Sequence, residues 1–289
     1  MLFWFFVIIS LPIAIFLIAY TAGYRFDSQT NSVIGTSALA LHTEPKDAIV
    51  ILNGEPQSST TPFIETLLPG EYSIEIRKEG YRSWKKALNF DATRSVIFPD
   101  IVLFGEHTPR QRDAAPSSVV LDFVALSQEY RTYYRDLGWD APKELMVQEG
   151  PMDLIVDEMQ KSSYIVPSLN DFDDKHRING VVTAAVWNKD DALTYAVGVE
   201  LWVLNSGTGE FILLNRQSTP ILDVSWHPDG GYVVYSDKNG LFVIEIDPRG
   251  SRQIWQLSEL PSPSDISVAS NGSKVTFASD GIYYDLDID

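Results

Sequence analysis

The sequence predicts a mainly β protein that one N-terminal transmembrane helix attaches to a membrane. Three observations lead to this fold class. The chain begins with an uncharged apolar run, continues with short alternating strands separated by turn residues, and ends with a strand pattern that repeats about every 40 residues. We therefore predict four segments: a transmembrane anchor at 1–24, a small β-sandwich at 32–105, a linker at 106–118 and a domain of β-strand repeats at 119–289.

The predicted anchor rests on residues 1–22, which include no charged side chain. As a helix, this run is about 33 Å long, enough to cross a hydrocarbon core of about 30 Å. It lacks the basic start, the short core and the small-x-small end of a signal peptide, so a retained anchor is favoured over a cleaved signal. Tyr20 and Tyr24 suit the interfacial aromatic belt. Arg25 alone does not decide the orientation.

Charge and cysteine content exclude several classes of function. The net charge is −17, and residues 106–289 hold 14 basic and 29 acidic residues. This acidic half argues against binding to nucleic acid or to anionic lipid headgroups, and a solvated surface explains it best. The absence of cysteine excludes disulfides, a thiol nucleophile and a cysteine-based zinc site.

Turn residues divide the segment 32–105 into short strands. Asn53-Gly54 is a strong hairpin signal, because both residues accept a positive φ angle. Pro69-Gly70 forms a second turn. From Tyr72 to Arg77 apolar and polar residues alternate, as in a strand with one buried face. No helical period is present, so we predict a small antiparallel sandwich.

These motifs resemble the PEGA domain, whose pattern they follow in order. The matching pieces are Pro45-Lys46-Asp47-Ala48, Asn53-Gly54, Thr61-Pro62, Leu68-Pro69-Gly70-Glu71-Tyr72 and Gly80-Tyr81 with Trp84. Asp47 stands where the family usually has glycine, and aspartate tolerates the left-handed region well.

The PEGA resemblance implies structural roles for most of the marked residues and an extracytoplasmic envelope location. Gly54, Pro62, Gly70 and Gly80 would set the backbone geometry, and Tyr72, Tyr81 and Trp84 would pack the core. A carbohydrate-stacking platform made by Tyr81 and Trp84 is the alternative to core packing.

The last third of the chain repeats a strand–turn–strand unit. Trp187 and Trp226 are 39 positions apart, and Val268 follows 42 positions later. The turn after Trp226 contains Pro228, Asp229 and Gly230. The pattern over residues 181–289 resembles WD-type and related bacterial β-propeller repeats, which implies a fold and not an activity.

The number of repeats leaves two alternatives open. Strands at 144–147, 152–156 and 163–166 would form an earlier, irregular unit, and residues 128–137 have a helical pattern. The last unit lacks its outer strand. Either Val119–Ala125 supplies that strand and closes the propeller, or the propeller is truncated with open edges that need a partner.

No residue pattern predicts catalysis, a cofactor or a metal. The zinc, esterase and phosphate-loop motifs are missing from the sequence, and the acidic run 170–176 lacks calcium-loop spacing. We expect a membrane-anchored, extracytoplasmic, non-enzymatic scaffold or protein-binding protein of the cell envelope. The first alternative is a peptidoglycan- or glycan-binding protein, or a sensor accessory, that uses Trp139, Tyr164 and Trp202. A propeller-type hydrolase or lyase is a further alternative.

Overall fold

The computed structural model describes residues 2–21, 23–27, 32–92, 94–113, 124–125, 145–148, 151–157, 161–166 and 176–289. The predicted helix at 128–137 and the candidate Trp139 lie outside these residues. The chain divides into two compact units. One comprises Met1–Phe104 with Arg249–Ser251, and the other comprises Gly105–Pro248 with Arg252–Asp289.

The first unit begins with helix α1, Leu2–Thr21, which contains no acidic residue in its first turn and no basic residue in its last. Its side chains are described from Ile8 onward. Within the described residues, no helix is both long enough and apolar enough to cross a membrane. A hairpin of β1 (Tyr24–Asp27) and β2 (Ser32–Gly35) follows the helix.

Two sheets build the rest of the first unit. Their strand orders are β6-β3-β9 and β5-β4-β7-β8. The strands are β3 (Ser37–Glu44), β4 (Ile49–Leu52), β5 (Glu55–Thr60), β6 (Phe63–Leu67), β7 (Gly70–Arg77), β8 (Trp84–Phe90) and β9 (Val96–Val102). Trp84 of one sheet meets Phe98 of the other edge to face, with ring centroids 5.1 Å apart. The sheets therefore pack face to face around a shared core, as a sandwich does.

The predicted turns have the expected backbone conformations. Asn53 and Gly54 join β4 to β5 with φ angles of 51° and 84°, as a two-residue hairpin requires. Asp47 has a φ angle of 60°, so it adopts the left-handed conformation at the position where glycine is usual. The Thr61–Pro62 peptide bond is cis.

One strand pair corrects the prediction that the sandwich is antiparallel throughout. Strands β3 and β9 run parallel, with Leu39 opposite Val96 and Leu41 opposite Phe98. Parallel neighbours need a long crossover connection. The segment β4–β8 provides this connection. No local pattern in the sequence predicts that the chain returns to pair with β3.

The described residues of the second unit form four antiparallel sheets. The first sheet has the order β11-β12-β13-β14-β15, the second β16-β17-β18-β19 and the third β20-β21-β22-β23. In the fourth, the order is β10-β26-β25-β24. The strands of the first and second sheets are β11 (Val124–Ala125), β12 (Leu145–Gln148), β13 (Asp153–Asp157), β14 (Ser162–Val166), β15 (His176–Ile178), β16 (Val182–Trp187), β17 (Ala192–Val197), β18 (Glu200–Asn205) and β19 (Glu210–Arg216). Those of the third and fourth are β20 (Ile221–Trp226), β21 (Tyr232–Asp237), β22 (Gly240–Glu245), β23 (Ile254–Ser258), β24 (Ser264–Val268), β25 (Lys274–Ser279), β26 (Ile282–Asp287) and β10 (Arg110–Gln111).

Strand pairing in successive sheets repeats in detail. An aromatic residue on the second strand lies opposite an aromatic residue on the third strand in three consecutive sheets. The pairs are Tyr195–Trp202, Tyr235–Phe242 and Phe277–Tyr284. The second and third sheets also share a β-bulge on their first strand, at Thr183 and at Leu222. The repeated unit is thus visible in the hydrogen-bond register as well as in the sequence.

The structure corrects the prediction of how the last unit is completed. Its outer strand is β10, from the segment predicted to be a linker, and not Val119–Ala125. Arg110 forms an ion pair with Asp287, and Arg112 approaches Asp285 to 3.2 Å. Of the other segment, the described residues Val124–Ala125 pair with β12 in the first sheet. The sign of the charges favours this pairing, because Arg110 of β10 and Arg112 just after it lie beside the alternating aspartates of β26.

A buried carboxylate connects the third sheet to the fourth. Asp223 on β20 accepts hydrogen bonds from its neighbour Val224 N at 2.8 Å and from Ile266 N on β24 at 2.8 Å. Burial raises the pKa of Asp223 to about 6, and the charge of Asp265 adds to the rise, while the backbone donors oppose it. The contact therefore holds two sheets together at the cost of a desolvated charge.

This pKa predicts a pH dependence of stability. Between about pH 4 and about pH 6 the folded protein holds a proton on Asp223 that the unfolded chain has released, so stability falls as pH rises through this window. The shift corresponds to about 3 kcal/mol. Urea unfolding at about pH 4 and about pH 7 should show the wild type losing this amount relative to the Asp223→Asn variant. Parallel pH profiles for the two proteins would contradict the prediction.

Candidate functional site

A pocket of about 220 Å³ lies in the second unit between β15 of the first sheet and the outer strands of the second sheet. Its aromatic and charged lining residues are His176, Arg177, Tyr195, Glu200, Trp202 and Phe211. Four of the six carry aromatic rings, and four carry ionisable groups, which include both a cation and an anion. Such a combination of apolar walls and a few polar groups is typical of small-molecule sites.

The strand register brings the pocket residues together. Strands β17 and β18 form a hairpin that places Tyr195 opposite Trp202. Glu200 is two residues before Trp202 on β18, so both side chains point to the same face of the sheet. Phe211 lies on the next strand, β19, and its ring stacks on that of His176 with 3.9 Å between centroids. The pocket thus joins residues that are up to 35 positions apart in the chain.

Glu200 is the charged centre of the site. Its Oε2 accepts a hydrogen bond from the indole nitrogen of Trp202 at 2.9 Å, and its Oε1 accepts one from Arg216 Nε at 2.8 Å. The hydrogen bond from Trp202 and then the contacts with Arg216 hold the pKa of Glu200 below its usual range. The group is therefore an anion at neutral pH, and both of its oxygens already accept bonds. It is suited to hold the Trp202 ring in place and not to donate a proton.

Tyr195 forms the floor of the pocket. Its ring is nearly parallel to that of Trp202, with 6.5 Å between centroids and an angle of 6°. Burial and then the charge of Glu200 raise the pKa of Tyr195 well above its usual value. Since Phe242 and Tyr284 occupy the position of Trp202 in the next two sheets, an aromatic ring here belongs to the repeat. The hydrogen bond to a glutamate and the adjoining pocket are what distinguish Trp202 within the described strands.

The structure separates the three residues predicted to contact a glycan. Trp202 lines the pocket. Tyr164 lies on β14 with only 5% of its surface exposed, on a strand that is buried along its whole length, so its ring is not open to a ligand in this structure. Trp139 is not among the described residues. His176, Glu200 and Phe211 were not predicted, because only the strand register and the packing of one sheet on the next bring them to Trp202.

The motif residues of the repeat lie at turns and between sheets. Trp226 Nε1 donates to the carbonyl of Val186 in the preceding sheet at 2.9 Å. Trp187, the equivalent residue one repeat earlier, has a buried Nε1 with no acceptor among the described residues. In the turn after β20, His227 Nδ1 lies 2.8 Å from Asp229 Oδ1. Pro228 lies between these two residues, and Gly230 follows with a φ angle of 82°. These residues therefore stabilise the contact between neighbouring sheets and the conformation of the turn.

The marked residues of the first unit have equally structural positions. Trp84 has none of its surface exposed, so it is closed to stacking with a ligand. Tyr72 meets Phe90 edge to face at 5.4 Å. Tyr81 is half-buried, and its backbone nitrogen bonds to Lys78. Across the described residues, no group of three or more histidine, aspartate or glutamate side chains is arranged to hold a metal ion.

Comparison with known families assigns one segment. Residues 36–98 match the PEGA domain, and the match begins one residue before β3 and ends inside β9. The sandwich of the first unit is therefore a PEGA domain, as its motifs predicted. No curated protein matches the chain.

Proposed function

We propose that this chain is a membrane-anchored, non-enzymatic binding protein of the cell envelope, with its β domains on the extracytoplasmic side. In this proposal α1 is the anchor and the four sheets of the second unit are blades of a β-propeller. The pocket beside Trp202 binds a sugar unit of a cell-wall glycan. That pocket is the observation that carries the binding function.

The sequence of the N-terminal segment supports the anchor. The chain has no charged residue before Arg25. Arg25 then donates to the carbonyl of Tyr20 at 2.8 Å, and its guanidinium lies 3.7 Å from the centre of the Tyr20 ring. A cation at the C-terminal end of a helix neutralises the helix dipole, and arginine and tyrosine are residues that favour a membrane interface.

The repeated register supports the propeller. Blades of four antiparallel strands are the units of that fold. In the fourth sheet the first three strands come from the end of the chain and the outer strand, β10, comes from a segment more than 150 residues earlier. This arrangement favours the closing alternative over an open fourth edge, because the outer strand of the last sheet is already paired.

The chemistry of the pocket favours a sugar over a protein segment. Sugar rings present apolar faces that stack on aromatic side chains and hydroxyl groups that bond to charged ones. The pocket offers the Trp202 and Phe211 rings for the first contact and Arg177 and Glu200 for the second. The pocket volume of about 220 Å³ is suited to a single sugar unit. A stable protein–protein interface instead buries about 800 Å² of surface on each partner, which a pocket of this size does not provide.

Retention on cell-wall glycan tests the proposal. The full-length protein in detergent should bind purified sacculi, and Trp202→Ala should weaken binding about tenfold or more, as loss of a central aromatic contact does. The control is Phe242→Ala, which removes the equivalent ring in the third sheet, outside the pocket.

Equal loss of binding in the two variants would show that only the fold had been damaged and would contradict the pocket assignment. In parallel, the same protein is cross-linked in envelope membranes. A specific protein partner without retention on sacculi would overturn the glycan proposal and support the protein scaffold instead.

A further inference from the structure

The hairpin β1–β2 exposes an apolar face next to the end of α1. Phe26 and Val33 are directly opposite one another, and Tyr24 is two residues before Phe26, so the three side chains share one face. They are 43% (Tyr24), 65% (Phe26) and 64% (Val33) exposed. Exposing this apolar face to water costs free energy. The hairpin is therefore more stable when the face is covered.

This face continues the apolar surface of the helix. Among the residues whose exposure is described, 12 of the 19 exposed large apolar side chains lie between Ile8 and Val33. In the sandwich and in the sheets of the second unit, such side chains occur singly or in small groups. The concentration at one end of the chain points to an environment that only this end meets.

Hydrogen bonds through Gly23 connect the hairpin to the end of the helix. Gly23 N donates to the carbonyl of Tyr20 at 3.3 Å, and the carbonyl of Gly23 accepts from Thr36 N at 2.8 Å and from Thr36 Oγ1 at 2.6 Å. Strand β1 begins three positions after the last residue of α1, so the hairpin starts within one turn of the helix end. If the helix crosses a bilayer, the hairpin lies at the level of the lipid headgroups.

We infer that the hairpin β1–β2 is a second membrane-contact element, whose Tyr24, Phe26 and Val33 face lies in the interfacial layer of the bilayer beside α1. This inference rests on the proposed membrane anchoring. Tyrosine and phenylalanine are favoured at that depth. Arg25, between them in sequence, is held at the helix end, where its charge complements lipid phosphates. The occupant of the face is thus lipid.

Site-directed spin labelling of the full chain tests the inference, and the absence of cysteine makes every introduced thiol unique. Single variants Phe26→Cys and Val33→Cys carry a nitroxide in vesicles of phosphatidylcholine and phosphatidylglycerol. The measurement compares collisions with lipid-soluble oxygen and with a water-soluble nickel complex. Ile13→Cys in α1 reports the anchor, and Ser58→Cys, at an exposed position of the outer strand β5, reports a solvated site.

The expected result is a several-fold preference for oxygen at positions 26 and 33 relative to position 58. If position 13 is in lipid but positions 26 and 33 match position 58, the inference is overturned and the anchor stands. Position 13 exposed to the nickel complex would overturn the anchor itself. A face covered by protein instead of lipid would show low collision rates with both reagents at positions 26 and 33, which also overturns the inference.

Discussion

The Trp84→Ala variant is expected to lose about 4 kcal/mol of stability in the sandwich, the usual cost of removing a fully buried tryptophan. Trp84 has no exposed surface and joins the two sheets through its edge-to-face contact with Phe98. Its removal leaves a cavity at the place where the sheets are held together, and the surrounding strands cannot collapse into it without separating from their partners.

Hydrogen exchange measured by mass spectrometry on the full chain reports this loss unit by unit. Peptides from β3–β9 should exchange faster, while peptides from β16–β23 keep their protection. Ile64→Ala is the control, because Ile64 lies on the same sandwich with 71% of its surface exposed and its truncation should change protection little. Faster exchange in both variants, or in neither, would contradict the central packing role of Trp84.

Local features of the fold were predictable from the sequence. The Asn53-Gly54 hairpin and the left-handed Asp47 follow from the φ angles that single residues accept, and the structure has both. The PEGA domain was likewise recognised from short motifs in order. These features depend on neighbours within a few positions, so a single sequence reports them.

Pairing between distant segments was not predictable in the same way. The sequence shows that the last unit lacks an outer strand, but it left open whether Val119–Ala125 supplies that strand or the edge stays unpaired. Arg110–Gln111 are too short to register as a strand, and only their pairing with the aspartates of β26 identifies them. The parallel pairing of β3 with β9 is equally non-local.

Of the six aromatic and charged residues of the pocket, the sequence predicted only Trp202 as a ligand contact. Trp202 stands out because large aromatic residues are rare and suit ligand contacts. Glu200 carries a usable signal in retrospect, since a carboxylate two residues before a tryptophan on a strand shares its face. His176 and Phe211 carry none: their stacking at 3.9 Å arises from the packing of the first sheet on the second.

The second large effect is expected at Gly240, which begins β22 with a φ angle of 145°. A Cβ atom there would lie 2.0 Å from the carbonyl oxygen of Ser258 on the neighbouring strand β23. That atom is backbone and cannot rotate away, so Gly240→Ala must displace β23 or distort β22. We expect a loss of about 3 kcal/mol or more, from the steric overlap and the unfavourable backbone conformation together.

Gly281→Ala supplies the matched control, because it changes the corresponding hairpin of the fourth sheet. Gly281 has a φ angle of 76°, but nothing lies within 4 Å of a Cβ built on it. Only the left-handed conformation is penalised there, at about 1 kcal/mol. Urea unfolding of both variants, monitored by hydrogen exchange in peptides from β22 and β23, separates the cost of the steric overlap from the cost of the backbone conformation. If both variants lose the same stability, the close approach of Ser258 to Gly240 carries no energetic weight, and the order of β22 and β23 depends on the backbone conformation alone.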